Sequence, residues 1–363
     1  MKESIFNIYK HSGNLIVIFN TLSRALVSMD SHKYAKILAK LDSDETDSNI
    51  DELYNKDFFV NDEINEFSKF LFQFKIMSED LNLLSITYVI TMACNFNCCY
   101  CFEGDKKVSN DDISMTPSQF SSIYSRLLVF TNPKAIDFNF FGGEPLLEFK
   151  HICDVVPNIA EINENNNLVY KINIVSNGYL LDRKIIKTCK EIGINSFQIT
   201  IDGDKQQHDK YRVLKNGTGT YDVIIENIYL LLEYGIEVVI NINFCSENYL
   251  GIIKFLQDMP EYFKNKVYIK FNELKVTNCN NFVSNRSENN IFTFNKLYNE
   301  LRSLDISDNN LELKDYGPCM ANRKSSIIIS RTGEVSKCIY GVGDQNYVFG
   351  NLLKETNLID SFF

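Results

Sequence analysis

Ile86-Thr87-Tyr88-Val89-Ile90-Thr91 runs through Met92-Ala93 into Cys94-Asn95-Phe96-Asn97-Cys98-Cys99-Tyr100-Cys101. The first six residues, rich in β-branched and aromatic side chains, read as a strand. The loop behind them holds four of the chain's ten cysteines. Further candidate strands follow at Ile136–Phe141, Lys171–Ser176, Ser196–Ile201, Val238–Phe244 and Val267–Glu273. Helical patterns lie between and beyond them at Pro117–Phe130, His151–Asn163, Asp182–Ile192, Tyr221–Tyr234, Leu250–Phe263 and Ile291–Ser303. Thr116-Pro117 is a good helix start, a cap followed by proline at the first helical position. Gly193 and Gly235 are placed to end their helices. Six strands alternating with six helices predict an α/β fold with a parallel sheet. Right-handed crossovers curl it toward a partial (β/α)6 TIM-like barrel, whose active site belongs at the carboxyl ends of the strands.

Working outward, residues 1–82 read as a small α+β module. Ile5–Tyr9 and Leu15–Phe19 form a hairpin around Lys10-His11-Ser12-Gly13-Asn14. Ser31 caps a helix through Leu41, a second helix runs over Ile50–Lys56, a strand over Phe58–Val60, and an amphipathic helix over Glu63–Phe74. The pattern is compatible with a winged-helix-like unit. The barrel is expected over 83–305 and a short cysteine-containing segment over 306–363.

Composition narrows the partners. Of the 363 residues, 45% are apolar and 23% charged, ordinary for a globular protein. A net charge of −10 without a long basic run argues against a nucleic-acid partner. The amino terminus leads into no signal-like apolar region, and Leu83–Ala93 is too short and too interrupted to span a bilayer. The expected location is cytoplasmic. In a reducing compartment, four cysteines within eight residues point to metal or redox chemistry rather than disulfides.

Cys94, Cys98 and Cys101 are thiolate ligands suited to an iron–sulfur cluster or to zinc. Zinc sites usually add a second cysteine pair or histidines, and neither stands nearby. Three cysteines can hold three corners of a four-iron cluster and leave the fourth iron open. Gly142-Gly143-Glu144-Pro145 closes the second strand. Its glycines allow close backbone approach to a ligand, and its carboxylate can accept from an ammonium; alone, it reads equally as an ordinary turn. The third strand ends in Ser176-Asn177-Gly178 and the fourth in Asp202-Gly203, with His208-Asp209-Lys210-Tyr211-Arg212 beyond. An arginine donates two parallel hydrogen bonds to a carboxylate; the plainer reading of Arg212 is a salt bridge, and of His208 a helix-end or core contact.

The three-and-two cysteine spacing, with an aromatic before the third, resembles the signature of the radical S-adenosylmethionine (SAM) superfamily, and Cys99 falls outside it. The resemblance covers roughly residues 84–275, its motifs falling in order on successive strand ends. It implies a [4Fe-4S] cluster on Cys94, Cys98 and Cys101, and SAM held by Gly142, Gly143 and Glu144 at its amino group. Ser176 and Arg212 are implied at its carboxylate or ribose, and Tyr100 near its adenine through the backbone.

Farther on, Cys319 and Gly333-Glu334-Val335-Ser336-Lys337-Cys338 look like the opening of a SPASM or twitch domain, and Gly350-Asn351-Leu352 matches what usually follows. Ile327–Ser330 and Glu334–Cys338 read as a hairpin about Arg331-Thr332-Gly333, which brings both cysteines close together. A full SPASM domain carries further cysteines, and none follows Cys338. The segment therefore reads as incomplete: Cys319 and Cys338 are auxiliary-cluster candidates, with Cys279 and another group assisting, or they are free thiols. Such enzymes cleave SAM reductively to a 5′-deoxyadenosyl radical that abstracts hydrogen from a substrate. The resemblance implies a maturase of ribosomally made peptides, with residues 1–82 binding a leader peptide and a flavodoxin- or ferredoxin-type electron donor. A sulfatase-maturase-type formylglycine-forming enzyme and a non-catalytic metal-binding scaffold are the alternatives.

Overall fold

The computed structural model describes residues 1–23, 25–41, 48–104, 114–245, 247–274, 297, 318–355 and 357–359. Two compact units divide the chain, Met1–Met77 and Ser78–Phe363.

The first unit contains β1 (Lys2–Glu3), β2 (Asn7–Ser12), β3 (Leu15–Asn20), β4 (Leu26–Asp30), α1 (Ser31–Lys40), α2 (Ser48–Asn55), β5 (Phe59–Val60) and α3 (Glu66–Glu79), the last reaching just past its boundary. β2, β3 and β4 form an antiparallel sheet in that order, and β1 pairs with β5. The expected hairpin is present, with Ser12 opposite Leu15 and Gly13 at φ +59° in the two-residue turn. Its third strand, β4, carries only weak alternation and was not expected. Ile16 and Ile18 of β3 pack with Tyr34, Ile37, Ile50, Leu53, Phe58 and Phe59. The cap of α1 is Asp30 rather than Ser31: its Oδ1 accepts from the N–H groups of His32 and Lys33 at 2.9 and 3.1 Å. The last helix starts three residues later and ends five residues later than its pattern suggests, and Glu66 is its one buried residue.

The second unit is built on β6 (Leu83–Thr91), β7 (Ala135–Gly142), β8 (Val169–Ser176), β9 (Ser196–Thr200), β10 (Glu237–Phe244) and β11 (Val267–Glu273). Each pairs in parallel with its sequence neighbour. The crossovers carry α4 (Pro117–Thr131), α5 (Phe149–Asn165), α6 (Arg183–Ile192), the short α7 (Lys205–Tyr211), α8 (Tyr221–Glu233), α9 (Tyr249–Gln257) and α10 (Glu261–Lys264). This is the partial (β/α)6 barrel. The expected single helix over Leu250–Phe263 is two, because Pro260 lacks an N–H and disfavours helix at the residue before it. Thr116 and Gln119 form a reciprocal capping box with Pro117 at the first turn. Gly193 and Gly235, at φ +91° and +69°, end their helices as read. Of the expected helix Ile291–Ser303 only Leu297 is described, and it is buried in the core.

The same sheet continues past β6. β12 (Ser326–Ser330) pairs parallel to β6, and β13 (Glu334–Ser336) and β14 (Gly350–Asn351) follow antiparallel. The C-terminal hairpin therefore exists, but as an edge of the barrel sheet. Its Ile327 and Ile329 join the barrel's hydrophobic core. Among the described residues no helix is long and apolar enough to cross a membrane.

Side chains on β8 to β11 alternate in character. Ile172, Ile174, Phe197, Ile199, Val238, Ile240, Ile242, Val267 and Ile269 are buried in the core with Ile228 and Leu231 of α8. Their alternates on the other face are mostly polar, Asn173, Gln198, Thr200, Asn241, Asn243, Lys270 and Asn272, with Val175, Val239 and Tyr268 among them. The apolar set supplies the packing, and the polar set furnishes the inside of the barrel.

Candidate active site

A cavity of about 360 Å3 opens at the carboxyl ends of these strands. Cys94, Cys98, Tyr100 and Cys101 line it, with Gly142 and Gly143 after β7, Ser176 and Asn177 after β8, and Arg212 beyond β9. Polar alternates of β9, β10 and β11 complete the wall.

The cysteine loop is held by backbone bonds to the segment that carries Arg212. Asn97 N–H donates to Val213 O at 2.8 Å, Cys99 N–H to Tyr211 O at 3.4 Å, and Lys215 N–H to Asn95 O at 3.2 Å. Cys94 is buried, Cys98 and Cys101 half-buried, and Cys99 exposed. Among the described residues no three His, Cys, Asp or Glu side chains meet as a single-ion site requires. A four-iron cluster spreads its thiolates over a wider triangle, and three sulfurs around one cavity suit that shape.

Gly142 and Gly143 are needed for a different close approach from the one expected. A Cβ on Gly142 would lie 2.0 Å from Thr91 O, and one on Gly143 would lie 2.3 Å from Ala93 O. Gly143 N–H donates to Thr91 O at 2.9 Å and Glu144 N–H to Ala93 O at 2.8 Å. The two glycines thus clasp the base of the cysteine loop while also lining the cavity. Glu144 is fully buried. Its carboxylate accepts from Leu146 N–H at 3.0 Å, Asn177 N–H at 2.7 Å and the Ser176 hydroxyl at 2.8 Å. Burial raises its pKa, against those hydrogen bonds and Arg212. The side chain is a brace for the end of β8. Ser176 Oγ in turn accepts Gly178 N–H at 2.9 Å.

Arg212 is 7% exposed. Its NH1 group donates to the Tyr100 hydroxyl at 2.8 Å and lies 3.9 Å from Asp202 Oδ2. Its guanidinium sits 5.7 Å from the centre of the Phe96 ring. Its buried Nε meets no acceptor. Burial opposes its charge, yet Tyr100, Cys98 and Asp202 beside it hold it firmly protonated. Far from a surface salt bridge, Arg212 is an interior cation on the cavity wall.

Two buried groups that sequence reasoning left without a role stand behind this wall. Asp202 is fully buried and accepts the Tyr100 hydroxyl on Oδ2 and Asn243 N–H on Oδ1 at 3.0 Å. His208, also fully buried, has Nε2 3.1 Å from Thr220 Oγ1, and that hydroxyl donates to Arg212 O at 2.8 Å. The threonine proton being committed, Nε2 carries the ring proton, and Nδ1 accepts Asp202 N–H at 3.4 Å. Burial, and then Arg212, hold the ring's pKa well below 6.5, so it is neutral. An unfolded chain binds a proton near pH 6.5 that the folded chain refuses, so stability is full above that pH and falls below it. Replacing His208→Gln, which keeps a donor toward Thr220, removes this component. Anaerobic denaturant unfolding at pH 8 and 5.5 is expected to show the parent losing about 1.4 kcal/mol more than the variant; equal losses would assign the titration elsewhere.

In the C-terminal hairpin, Cys319 is exposed and Cys338 half-buried. Both lie close enough to the Tyr340 hydroxyl to raise its pKa, after burial itself. Tyr340 lines the cavity and packs on Phe102 with centroids 4.9 Å apart. Lys337 Nζ donates to the carbonyls of Arg323, Lys324 and Ser326 at 2.9, 3.1 and 2.6 Å, tying the stretch after Cys319 to the strand before Cys338. Cys279 lies outside the described residues.

Residues 88–259 match the Radical SAM superfamily. The match runs from β6 to just past α9. Members of that superfamily are enzymes that use a [4Fe-4S] cluster and SAM. The chain is 32% identical over 179 residues to the cysteine-type anaerobic sulfatase-maturating enzyme of Clostridium novyi (strain NT), spanning 45% of either chain. Several other curated relatives are spanned over 39% to 58% of their length. Its fold is that of native anSMEcpe with bound AdoMet (TM-score 0.61, 20% identity, 77% of this chain and 82% of that one). It is also that of Streptococcus suis SuiB bound to precursor peptide SuiA (TM-score 0.59, 13% identity, 99% and 88%).

Proposed function

We propose that this chain is a radical SAM enzyme that modifies a peptide or protein, with Cys94, Cys98 and Cys101 holding the [4Fe-4S] cluster and the adjoining cavity binding SAM. One observation carries the reading: three cysteines, two glycines, Ser176 and a buried arginine with an unused donor line a single cavity. The donor set fits the group. Three thiols leave one iron free, and Arg212 Nε–H suits a carboxylate or ribose oxygen of SAM. Cys94, Cys98 and Cys101 would hold the cluster, which would supply one-electron reduction of SAM and so the radical chemistry that abstracts hydrogen from a substrate.

The chain's own residues supply binding, orientation and exclusion of water. Arg212 and Ser176 orient SAM, Glu144 fixes Ser176, and the Phe102–Tyr340 pair forms an aromatic stretch of wall that limits water. Cys319 and Cys338 are candidate ligands of an auxiliary cluster. Anaerobic reconstitution, followed by SAM and dithionite, should yield 5′-deoxyadenosine. A cluster-loaded protein that makes none would favour the non-catalytic scaffold, and a zinc-loaded one would sink the proposal.

A peptide maturase is favoured over the formylglycine-forming alternative because the likeness to the precursor-bound fold extends over the amino-terminal unit. That unit offers two sheet edges, β2 and β4, where an extended leader segment can add as a strand. Ile8 and Leu26 on those edges are exposed. Hydrogen exchange of the full chain with any precursor peptide encoded beside its gene should slow at residues 7–12 or 26–30; exchange unchanged at both edges would remove the leader-binding role. A one-electron flavodoxin- or ferredoxin-type donor completes the proposed partners.

A further inference from the structure

We propose that Asp202, at the end of β9, is the positioning residue that fixes the Arg212 guanidinium on the cavity wall through the Tyr100 hydroxyl. This rests on the cavity being the SAM site. Three buried groups form a chain with a direction. Arg212 NH1 donates to the tyrosine oxygen at 2.8 Å, and the tyrosine O–H donates to Asp202 Oδ2. The other carboxylate oxygen is already committed to Asn243 N–H at 3.0 Å, which locks the carboxylate plane to β10. The peptide groups repeat the link. Asp202 N–H reaches His208 Nδ1, His208 Nε2–H reaches Thr220, and Thr220 reaches the Arg212 carbonyl. Asp202 is thus joined to Arg212 by a side-chain route through the cysteine loop and by a backbone route through α7.

The need for such a partner follows from burial. A guanidinium lifted out of water requires a compensating charge and filled donors. Here NH1 is filled and the charge is faced by a carboxylate 3.9 Å away, while Nε remains without an acceptor. The arginine is held from one side and left with a donor to offer. Because Tyr100 lies between Cys98 and Cys101, the same hydroxyl couples arginine orientation to the loop that carries the thiols.

Direction is what makes the role testable. In Asp202→Asn the amide oxygen must stay on Asn243 N–H, which turns the NH2 group toward Tyr100. The tyrosine proton then loses its acceptor and its oxygen faces two donors, so the arginine loses its anchor. The expected result, in anaerobically reconstituted full-length enzyme, is a KM for SAM raised about tenfold, the worth of one hydrogen bond to a charged group. The kcat for 5′-deoxyadenosine and the iron content should stay near the parent's, while the unfolding midpoint falls because the buried guanidinium loses its compensating charge. Tyr100→Phe, which removes the bridge and leaves both charges, should raise KM in the same direction. In an Arg212→Lys background, Asp202→Asn should add less than about twofold, because the effect acts through the arginine.

The electron paramagnetic resonance signal of the reduced cluster, with and without SAM, separates the two ideas. A parent signal unmoved by SAM, or an Arg212→Lys variant with the parent's KM, overturns the SAM reading of the cavity and the proposal with it. A SAM-responsive parent, an impaired Arg212→Lys variant and an Asp202→Asn variant with the parent's KM overturn the role of Asp202 alone. Should Asp202→Asn fail to fold or to hold iron, Tyr100→Phe decides: an unchanged KM there overturns the proposal.

Discussion

Replacing Cys98→Ala is expected to lower 5′-deoxyadenosine formation by more than about a hundredfold and to strip the protein of most of its iron. Loss of an outer partner of a metal ligand already costs about 10- to 100-fold, and a missing thiolate leaves a cluster corner without its anchor. Cys99 stands next in sequence and invites the thought of rescue. The structure argues against it: Cys98 lines the cavity beside Arg212 and Tyr100, whereas Cys99 is exposed and outside the lining. A Cys99→Ala variant is therefore expected to keep the parent's iron and rate. Iron analysis and product chromatography on the two variants decide the matter, and equal behaviour of both would mean the ligand set has been misassigned.

Gly143→Ala should be nearly as damaging although it removes no ligand. The added Cβ would meet Ala93 O at 2.3 Å, the Ala93 carbonyl carbon at 2.6 Å and Met92 O at 2.7 Å. All three are backbone atoms of the two residues before Cys94, so no side chain can swing aside. Either the unit absorbs strain of about 3 kcal/mol, or the cysteine loop moves and the thiols lose their arrangement. The expected outcome is an unfolding midpoint several degrees lower, iron content less than half the parent's, or both. Gly217→Ala serves as the comparison. Its φ is +85° but nothing lies within 4 Å of the new Cβ, so it should cost only backbone strain of about 1 kcal/mol. If Gly143→Ala behaves no worse than Gly217→Ala, the clasp around Thr91 and Ala93 is dispensable.

The barrel strands were legible because a parallel strand covered by helices must be apolar on that face, and Ile172, Ile174, Val238, Ile240 and Ile242 announce it at spacing two. Cap chemistry at Thr116-Pro117 and Gly193 was legible for the same local reason. What failed to show was anything settled by distant partners. Residues 327–330 read as half of a local hairpin, since nothing in Ile-Ile-Ile-Ser says that its other neighbour is β6. Glu144 was expected at a ligand's ammonium, and the sequence did not show that its carboxylate also accepts from Ser176, Asn177 and Leu146, two of them over thirty residues away. Asp202 looked like half of a turn beside Gly203, and His208 like a helix-end or core contact. Only the fold brings the first to Tyr100 and the second between Asp202 and Thr220. The one signal the sequence does carry is that Asp202, His208, Arg212 and Thr220 fall within a single crossover.

The parallel pairing of β12 with β6 also sets the timetable of synthesis. The strand that leads into the cysteine loop leaves the ribosome more than two hundred residues before its partner on that edge. At ordinary elongation rates this is on the order of ten seconds or more during which one side of Leu83–Thr91 has no strand to bond. Metal loading of the nascent chain in that interval would act on a loop whose supporting strand is still open on one flank, and that flank closes only once residues 326–330 have docked.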